Sequence, residues 1–272
     1  MSRSTPLRLN SYSALRWGLM FLTCLSFTRI AMQDKRPTFF IIGDSTVKNG
    51  SGKGGGGLWG WGNFIEDYFD TSKVSVTNRA IGGRSSKSYI SEGRWDQVMS
   101  ELKPGDFVIM QWGHNDGGPL DDTARARGSI RGTGEETKDI YNPVLKKSET
   151  VHTYGWYLRK YVSDCQSKGV TAVICSPIPR NIFVDGKCTR STDYGKWAEE
   201  TAHSTGVAFI DLNAIIADQY DLLGPDKVKE FFPGDHTHTN EAGARLNAKS
   251  VITGLRKIPN LPLNNYLLPA AN

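Results

Sequence analysis

The chain has 272 residues, long enough to bury a substantial core as one large or two small domains. Hydrophobic residues make up 38% and charged residues 22%, a balance that excludes wholesale disorder. The formal charge of +5 is carried by no Lys/Arg run and no interleaved aromatic stripe, so no nucleic-acid partner is expected.

The N-terminus has its own composition. Residues 1–16 carry Arg3, Arg8 and Arg16 without an acid, and they lead into an apolar run from Trp17 to Phe27. A basic segment before a hydrophobic core too short to span a bilayer comfortably is the layout of a secretory signal. Cys24-Leu25-Ser26 offers a small-x-small cleavage site. The expected division is therefore a signal over 1–26, a linker over 27–37 and a single domain over 38–272, in a secreted or periplasmic protein. An uncleaved anchor is one alternative and a lipid on Cys24 another, although Thr23 is larger than the residue a lipoprotein signal usually has there. No other stretch resembles a transmembrane helix, so no stable membrane span is expected. Removing Arg3, Arg8 and Arg16 takes the formal charge from +5 to +2. Cys165, Cys175 and Cys188 lack CxxC spacing, which argues against a zinc site or a dense disulfide framework and leaves at most one disulfide of undetermined pairing.

From residue 38 onward apolar runs alternate with amphipathic stretches, the pattern of an α/β domain with a mainly parallel sheet. Phe39-Phe40-Ile41-Ile42 is a strand with no polar alternation, suited to burial on both faces, and it stops at Gly43-Asp44-Ser45. The glycine-rich stretch 47–57 contains Gly-Ser-Gly-Lys but lacks the spacing and the following hydroxyl of a phosphate loop. Further strands are predicted near 73–78, 106–111, 170–175 and 207–211. Helices are predicted near 59–69, 85–101, 150–168, 193–205, 212–222 and 240–256. Tyr154, Tyr157, Leu158, Tyr161 and Val162 fall at helical spacing, and Lys168-Gly169 gives a basic last turn and a glycine stop. Residues 113–149 are long for a connection and read as a functional or mobile loop. Within it Arg125, Arg127, Arg131 and Lys138 balance Asp121, Asp122, Glu135 and Glu136, as on a solvated surface loop.

Hydrolysis of an ester at neutral pH needs a nucleophile, a base, a group that orients the base, and donors for the developing oxyanion. The strand ends supply candidates in order: Ser45 after the first; the glycine turn Ile81-Gly82-Gly83-Arg84 after the second; Gly113-His114-Asn115-Asp116 after the third; and Gly234-Asp235-His236-Thr237-His238 beyond the last. In a parallel sheet the loops that follow the strands gather at one edge, so these distant segments can share a site. Asp235 and His238 are close enough in sequence for one turn to bring carboxylate to imidazole.

Together these four pieces resemble the SGNH, or GDSL, hydrolase family, and the resemblance extends from about residue 38 to about residue 255. It implies a three-layer α/β/α sandwich on a five-stranded, mainly parallel, flavodoxin-like sheet. It also implies that Ser45 is the nucleophile, His238 the base and Asp235 its orienting acid, with an oxyanion hole formed by the N–H groups of Ser45 and Gly83 and the amide of Asn115. His236 competes for the base role but fits the family's D-x-x-H pattern less well. His114 and Asp116 read as supporting groups, Asp44 as a brace, and His152 and His203 as surface residues. Within the family the similarity is to rhamnogalacturonan acetylesterases, carried by Gly43-Asp44-Ser45-Thr46, Gly83-Arg84-Ser85-Ser86-Lys87-Ser88-Tyr89, Gly113-His114-Asn115-Asp116-Gly117-Gly118 and Phe232-Pro233-Gly234-Asp235-His236-Thr237-His238-Thr239. That implies deacetylation of pectin through an acetyl-enzyme, with no cofactor, no metal and an acetylated polysaccharide as partner to a monomer. Deacetylation of xylan, a general short-chain esterase and an inactive carbohydrate-binding protein are the alternatives; the last would be expected to lack one of Ser45, Asp235 and His238. Arg84 and Trp112, beside the oxyanion residues, either hold a sugar carboxylate and a sugar face or serve as a turn brace and a core residue.

Overall fold

Beyond Met1, the computed structural model describes residues 36–269. The expected signal and most of the linker, Cys24 included, lie outside the described residues. In chain order the elements are β1 (Thr38–Gly43), β2 (Ser75–Asn78), α1 (Ser86–Ser91), α2 (Arg94–Glu101), β3 (Phe107–Gln111), β4 (Thr137–Asn142), β5 (Lys147–His152), α3 (Tyr154–Ser167), β6 (Thr171–Cys175), β7 (Phe183–Val184), β8 (Lys187–Cys188), α4 (Tyr194–Thr205), β9 (Ala208–Ile210), α5 (Leu212–Leu223), α6 (Pro225–Lys229) and α7 (Glu241–Lys257).

The central sheet runs β2-β1-β3-β6-β9, and every neighbouring pair in it is parallel. This is the flavodoxin-like order, in which connections from β1 run to opposite sides and open a crevice at the carboxyl ends of the strands. Strand periodicity decides which side chain meets which layer. Phe39 and Ile41 of β1 join Phe107 and Ile109 of β3 in a cluster with α5, α7 and Trp61, whereas Phe40 and Ile42 join Val108 and Met110 against α1, α2, α3 and α4. Both faces of β1 are therefore apolar, as its sequence required.

The structure corrects the predicted elements in three places. The helix expected over 59–69 is instead short 3-10 turns at Trp61–Asn63 and Glu66–Tyr68. A side chain at Gly60 would lie 2.4 Å from the Val47 carbonyl oxygen, so the segment lies flat on the turn after β1 instead of coiling beside it. The helix expected over 85–101 breaks into α1 and α2 at Gly93, with φ at 72°. Ser85 caps α1, accepting from the Ser88 N–H while the Ser88 hydroxyl accepts from the Ser85 N–H.

Residues 113–149 are not an open loop. They contain β4, which pairs antiparallel with β5, so the predicted start of α3 near residue 150 moves to Tyr154. The pair is held down by Lys87, a fully buried lysine of α1 whose Nζ lies 3.1 Å from Glu149. Helical spacing in Tyr154–Val162 was legible; a polar exposed hairpin carries no apolar alternation to betray it.

Trp112 proves to be core. It is 0% exposed, its ring lies 5.8 Å from Tyr161 in a stacked arrangement, and it meets Tyr89 at 5.2 Å. No sugar can stack on it, so Trp112 is a core residue and not a sugar platform. Trp112→Ala is expected to cost about 3–5 kcal/mol of stability, checked by urea unfolding, with Trp112→Phe costing clearly less. Cys165, Cys175 and Cys188 are all free and buried, and burial pushes the Cys165 thiol up to about 12 and Cys188 to about 11.

Candidate active site

The turn that carries Ser45 is braced from within. Asp44 is fully buried, and its Oδ1 accepts from both the N–H and the hydroxyl of Thr46, at 2.8 and 2.7 Å. Thr46 Oγ1 accepts in turn from Gln111 Nε2 at 2.6 Å, and Gln111 Oε1 accepts from Trp61 Nε1 at 2.9 Å. Burial alone would raise the Asp44 carboxyl, but His114, with Nδ1 3.4 Å from Oδ2, and the Thr46 donors outweigh it and hold it below its ordinary value. Asp44 thus acts as a brace, as its sequence position suggested.

The flat segment after residue 58 joins this turn to the histidine loop. Its Trp61 and Gly62 N–H groups donate to the carbonyls of Thr46 and Val47, and its Trp59 N–H donates to Thr239 O at 2.9 Å. The result is that Ser45 Oγ lies 2.8 Å from His238 Nε2 across a separation of 193 residues. His238 Nδ1 lies 2.7 Å from Asp235 Oδ2, while Asp235 Oδ1 accepts from the N–H groups of Thr237 and His238 at 2.6 and 2.8 Å. Desolvation raises the Asp235 carboxyl, but the hydrogen bond from the His238 ring and the two backbone donors win and bring it to about 2. An ionised Asp235 requires the proton on Nδ1, so Nε2 is the atom left to accept from Ser45. His236 takes no part in this chain of contacts; it is exposed, and its carbonyl accepts from the Asn181 N–H.

Gly83 adopts φ 76°, a turn conformation that favours glycine. Asn115 Nδ2 donates to the Arg84 carbonyl at 2.8 Å, which fixes the amide and leaves its second hydrogen for a ligand. Among the described residues the N–H groups of Ser45 and Gly83 have no acceptor. Behind them Asp116 is fully buried and accepts from Ser86 Oγ, from Ser86 N–H at 3.1 Å and from Gly113 N–H at 3.0 Å, tying the second and third loops together. Burial pushes its carboxyl up to about 6. His152 is no free surface group: its ring stacks on Trp156 at 3.7 Å.

A cavity of about 550 Å³ opens over Ser45 and His238, walled by Gly82, Gly83 and Asn115. Arg84, Arg125 and Arg127 also line it. Arg84 is partly engaged, its Nε 3.0 Å from Glu92 and its Nη1 on Gly82 O. Arg125 and Arg127 are the residues that sequence reasoning assigned to solvent. Asp122 wraps their turn, accepting from the N–H groups of Ala124, Arg125 and Ala126, and Arg127 Nη1 donates to Gly83 O at 3.3 Å. Among the described residues neither guanidinium forms an ion pair with a carboxylate. Burial first, and then the like charge of Arg125, pulls the Arg127 guanidinium below its ordinary value. Two mutually repelling cations beside Ser45 form a site that an anion would relieve.

The model of the GDSL-like lipase/acylhydrolase family matches residues 41–246, a span that begins within β1, continues through β9 and includes all four site segments. The chain belongs to that family. As a member it is a carboxylic ester hydrolase. It is 35% identical over 233 residues to the rhamnogalacturonan acetylesterase of Emericella nidulans, with 85% of this chain and 88% of that protein covered. It is 28% identical to the probable rhamnogalacturonan acetylesterase YesY of Bacillus subtilis, covering 84% of this chain and 96% of the other. Among solved structures the esterase fold is shared with YxiM of Bacillus subtilis (TM-score 0.64, 22% identity, 82% of this chain and 56% of that one). It is also shared with Axe2, an acetylxylan esterase from Geobacillus stearothermophilus (TM-score 0.54, 18% identity, 80% and 94% covered). Those two structural likenesses carry the fold alone. No described helix is long and apolar enough to cross a membrane.

Proposed function

We propose that this esterase is exported and removes acetyl groups from the rhamnogalacturonan part of pectin, with Ser45, His238 and Asp235 as its catalytic residues. Ser45 Oγ attacks the acetyl carbonyl while His238 Nε2 takes its proton, and Asp235 holds the imidazole in the required tautomer. The developing oxyanion is received by the N–H groups of Ser45 and Gly83 and the free hydrogen of the Asn115 amide. His238 then returns the proton to the sugar oxygen, which leaves an acetyl ester on Ser45. Water, activated by the same Nε2, releases acetate. Export suits a polymer too large to enter a cell.

The observation that carries the choice of polymer is the pair of guanidinia, Arg125 and Arg127, in the wall of the nucleophile's cavity without carboxylate partners. A uronate carboxylate in the backbone can accept from them in forked pairs, whereas the xylose backbone of xylan offers them no opposite charge. Similarity to rhamnogalacturonan acetylesterases supports the same choice. Arg84 keeps its sequence-derived role only in part, since Glu92 already engages its Nε.

The test compares acetate release from acetylated rhamnogalacturonan, homogalacturonan and xylan. Rhamnogalacturonan is expected to be turned over fastest, and Arg125→Gln/Arg127→Gln is expected to lower its kcat/KM about tenfold or more, with a weaker salt dependence. Acetate from xylan alone would remove the pectin reading and leave the mechanism standing.

A further inference from the structure

A second cavity, of about 510 Å³, lies on the other side of the Gly113–Asp116 turn, and the chemistry derived above leaves it unused. Its volume falls within the rough range of 300–1,000 Å³ typical of ligand sites. His114 lines it while the next residue, Asn115, lines the cavity over Ser45, so the two cavities are neighbours across one turn. Its outer wall follows β6 through Arg180 and Ile182, and the residue between them, Asn181, donates its N–H to the carbonyl of His236, two positions before His238. In the sheet the first cavity lies over the ends of β2 and β1, and the second over the ends of β3 and β6. A linear ligand crossing the carboxyl edge of the sheet through Ser45 therefore runs from one into the other.

The two cavities differ in chemistry. Pro177, Ile178, Pro179 and Ile182 give the second an apolar wall. Its charges are largely engaged: Arg190 lies 2.6 Å from Asp218 and 2.9 Å from Asp221, and Asp193 lies 2.6 Å from Arg131. Asn213 is also engaged, its Oδ1 on the Ser191 N–H and its Nδ2 on the Pro177 carbonyl. Arg180 stays at the exposed rim. Tyr194 breaks the pattern. It is 8% exposed, lines the cavity, and its hydroxyl has no hydrogen-bond partner among the described residues. Burial pushes that hydroxyl up to about 12, so it is a donor at neutral pH. Leaving a buried hydroxyl unpaired costs about 1–3 kcal/mol; the oxygen is covered in this structure, and a small shift of the ring that uncovers it lets a ligand oxygen remove that cost.

We propose that this cavity is a subsite for a neutral sugar ring of the same polysaccharide chain, adjacent to the acetylated residue. The sugar's apolar face lies on the proline and isoleucine wall and one of its oxygens accepts from Tyr194. The proposal rests on the carbohydrate-esterase reading but not on the identity of the polymer. With the cationic first cavity, it describes an enzyme that reads an acidic sugar at the nucleophile and a neutral one beside it.

The experiment measures kcat/KM for acetylated oligosaccharides of increasing length, prepared from both rhamnogalacturonan and xylan, relative to 4-nitrophenyl acetate. The wild type is expected to gain about tenfold once the chain is long enough to reach the cavity. Thr189→Trp and Ile182→Trp, both at exposed rim positions, are expected to erase that gain, a ratio that cancels any general damage. Tyr194→Phe keeps the packing and removes only the orphan hydroxyl; it is expected to raise KM for the long chain three- to tenfold with kcat held, and to raise the thermal stability of the free protein. If neither tryptophan changes the chain-length gain on whichever polymer is turned over, or if no such gain exists, the subsite is overturned. Turnover confined to xylan overturns the pectin reading alone, because the same variants then test the cavity on xylan chains.

Discussion

Ser45→Ala is expected to lower kcat/KM about 10⁴- to 10⁶-fold while the protein remains folded. The size follows from what one oxygen does. Without Oγ no acetyl-enzyme forms, and only the oxyanion donors and substrate binding remain, which in a serine hydrolase leave a small residual rate over water. Stability should change little, because the side chain is only half-buried and its hydrogen bond to His238 contributes about 1 kcal/mol at most. Acetate release and urea unfolding measured on the same preparation separate the two effects. Wild-type enzyme mixed with 4-nitrophenyl acetate should also show a burst of nitrophenol that the variant lacks. Turnover within tenfold of wild type in Ser45→Ala would remove the nucleophile assignment.

Much of this was legible in the sequence because strands and catalytic turns carry strong local signals. The run Phe39–Ile42 announced a strand apolar on both faces, and its two faces meet two different helical layers. Asp235 and His238 form a contact within a single turn, which their spacing allowed and the resemblance to the family's D-x-x-H pattern selected over His236. What escaped was set by partners distant in sequence. Trp112 follows a strand end and looks like a platform, but residues 89 and 161 enclose it. Arg125 and Arg127 sit in a stretch where selected charges cancel, and charge balance says nothing about where a side chain points. Their placement depends on the Asp122 turn and on a hairpin pinned by the buried Lys87–Glu149 pair. The Trp59–Asn63 segment failed as a helix for a related reason. Its glycines serve close backbone contact with the turn that carries Ser45, and the same contact sets the distance between Ser45 and His238.

Asp235→Asn is expected to lower kcat about 10²- to 10⁴-fold, toward the smaller end because the Asp235 side chain is 46% exposed and water can partly replace it. Geometry gives the reason. Asp235 accepts on both oxygens, from the His238 ring on one and from two backbone N–H groups on the other. An asparagine can offer an oxygen to only one of these sides. If the oxygen faces the backbone, the amide N–H₂ confronts Nδ1, forces the proton onto Nε2 and removes the acceptor that Ser45 needs. If the oxygen faces the ring, the amide collides with the Thr237 and His238 donors and loosens the turn that carries the base. The pH dependence follows from the same contacts. The folded-state carboxyl titrates near 2, below its ordinary value of 3.8, so Asp235 is ionised throughout the range in which an esterase is assayed. The wild-type kcat/KM profile should therefore show no step from Asp235 itself above about pH 5. For stability, a depressed carboxyl contributes fully above its unfolded value and loses that contribution as pH falls through the folded one. The stability difference between wild type and Asp235→Asn should hold at neutral pH and close between about pH 4 and pH 2.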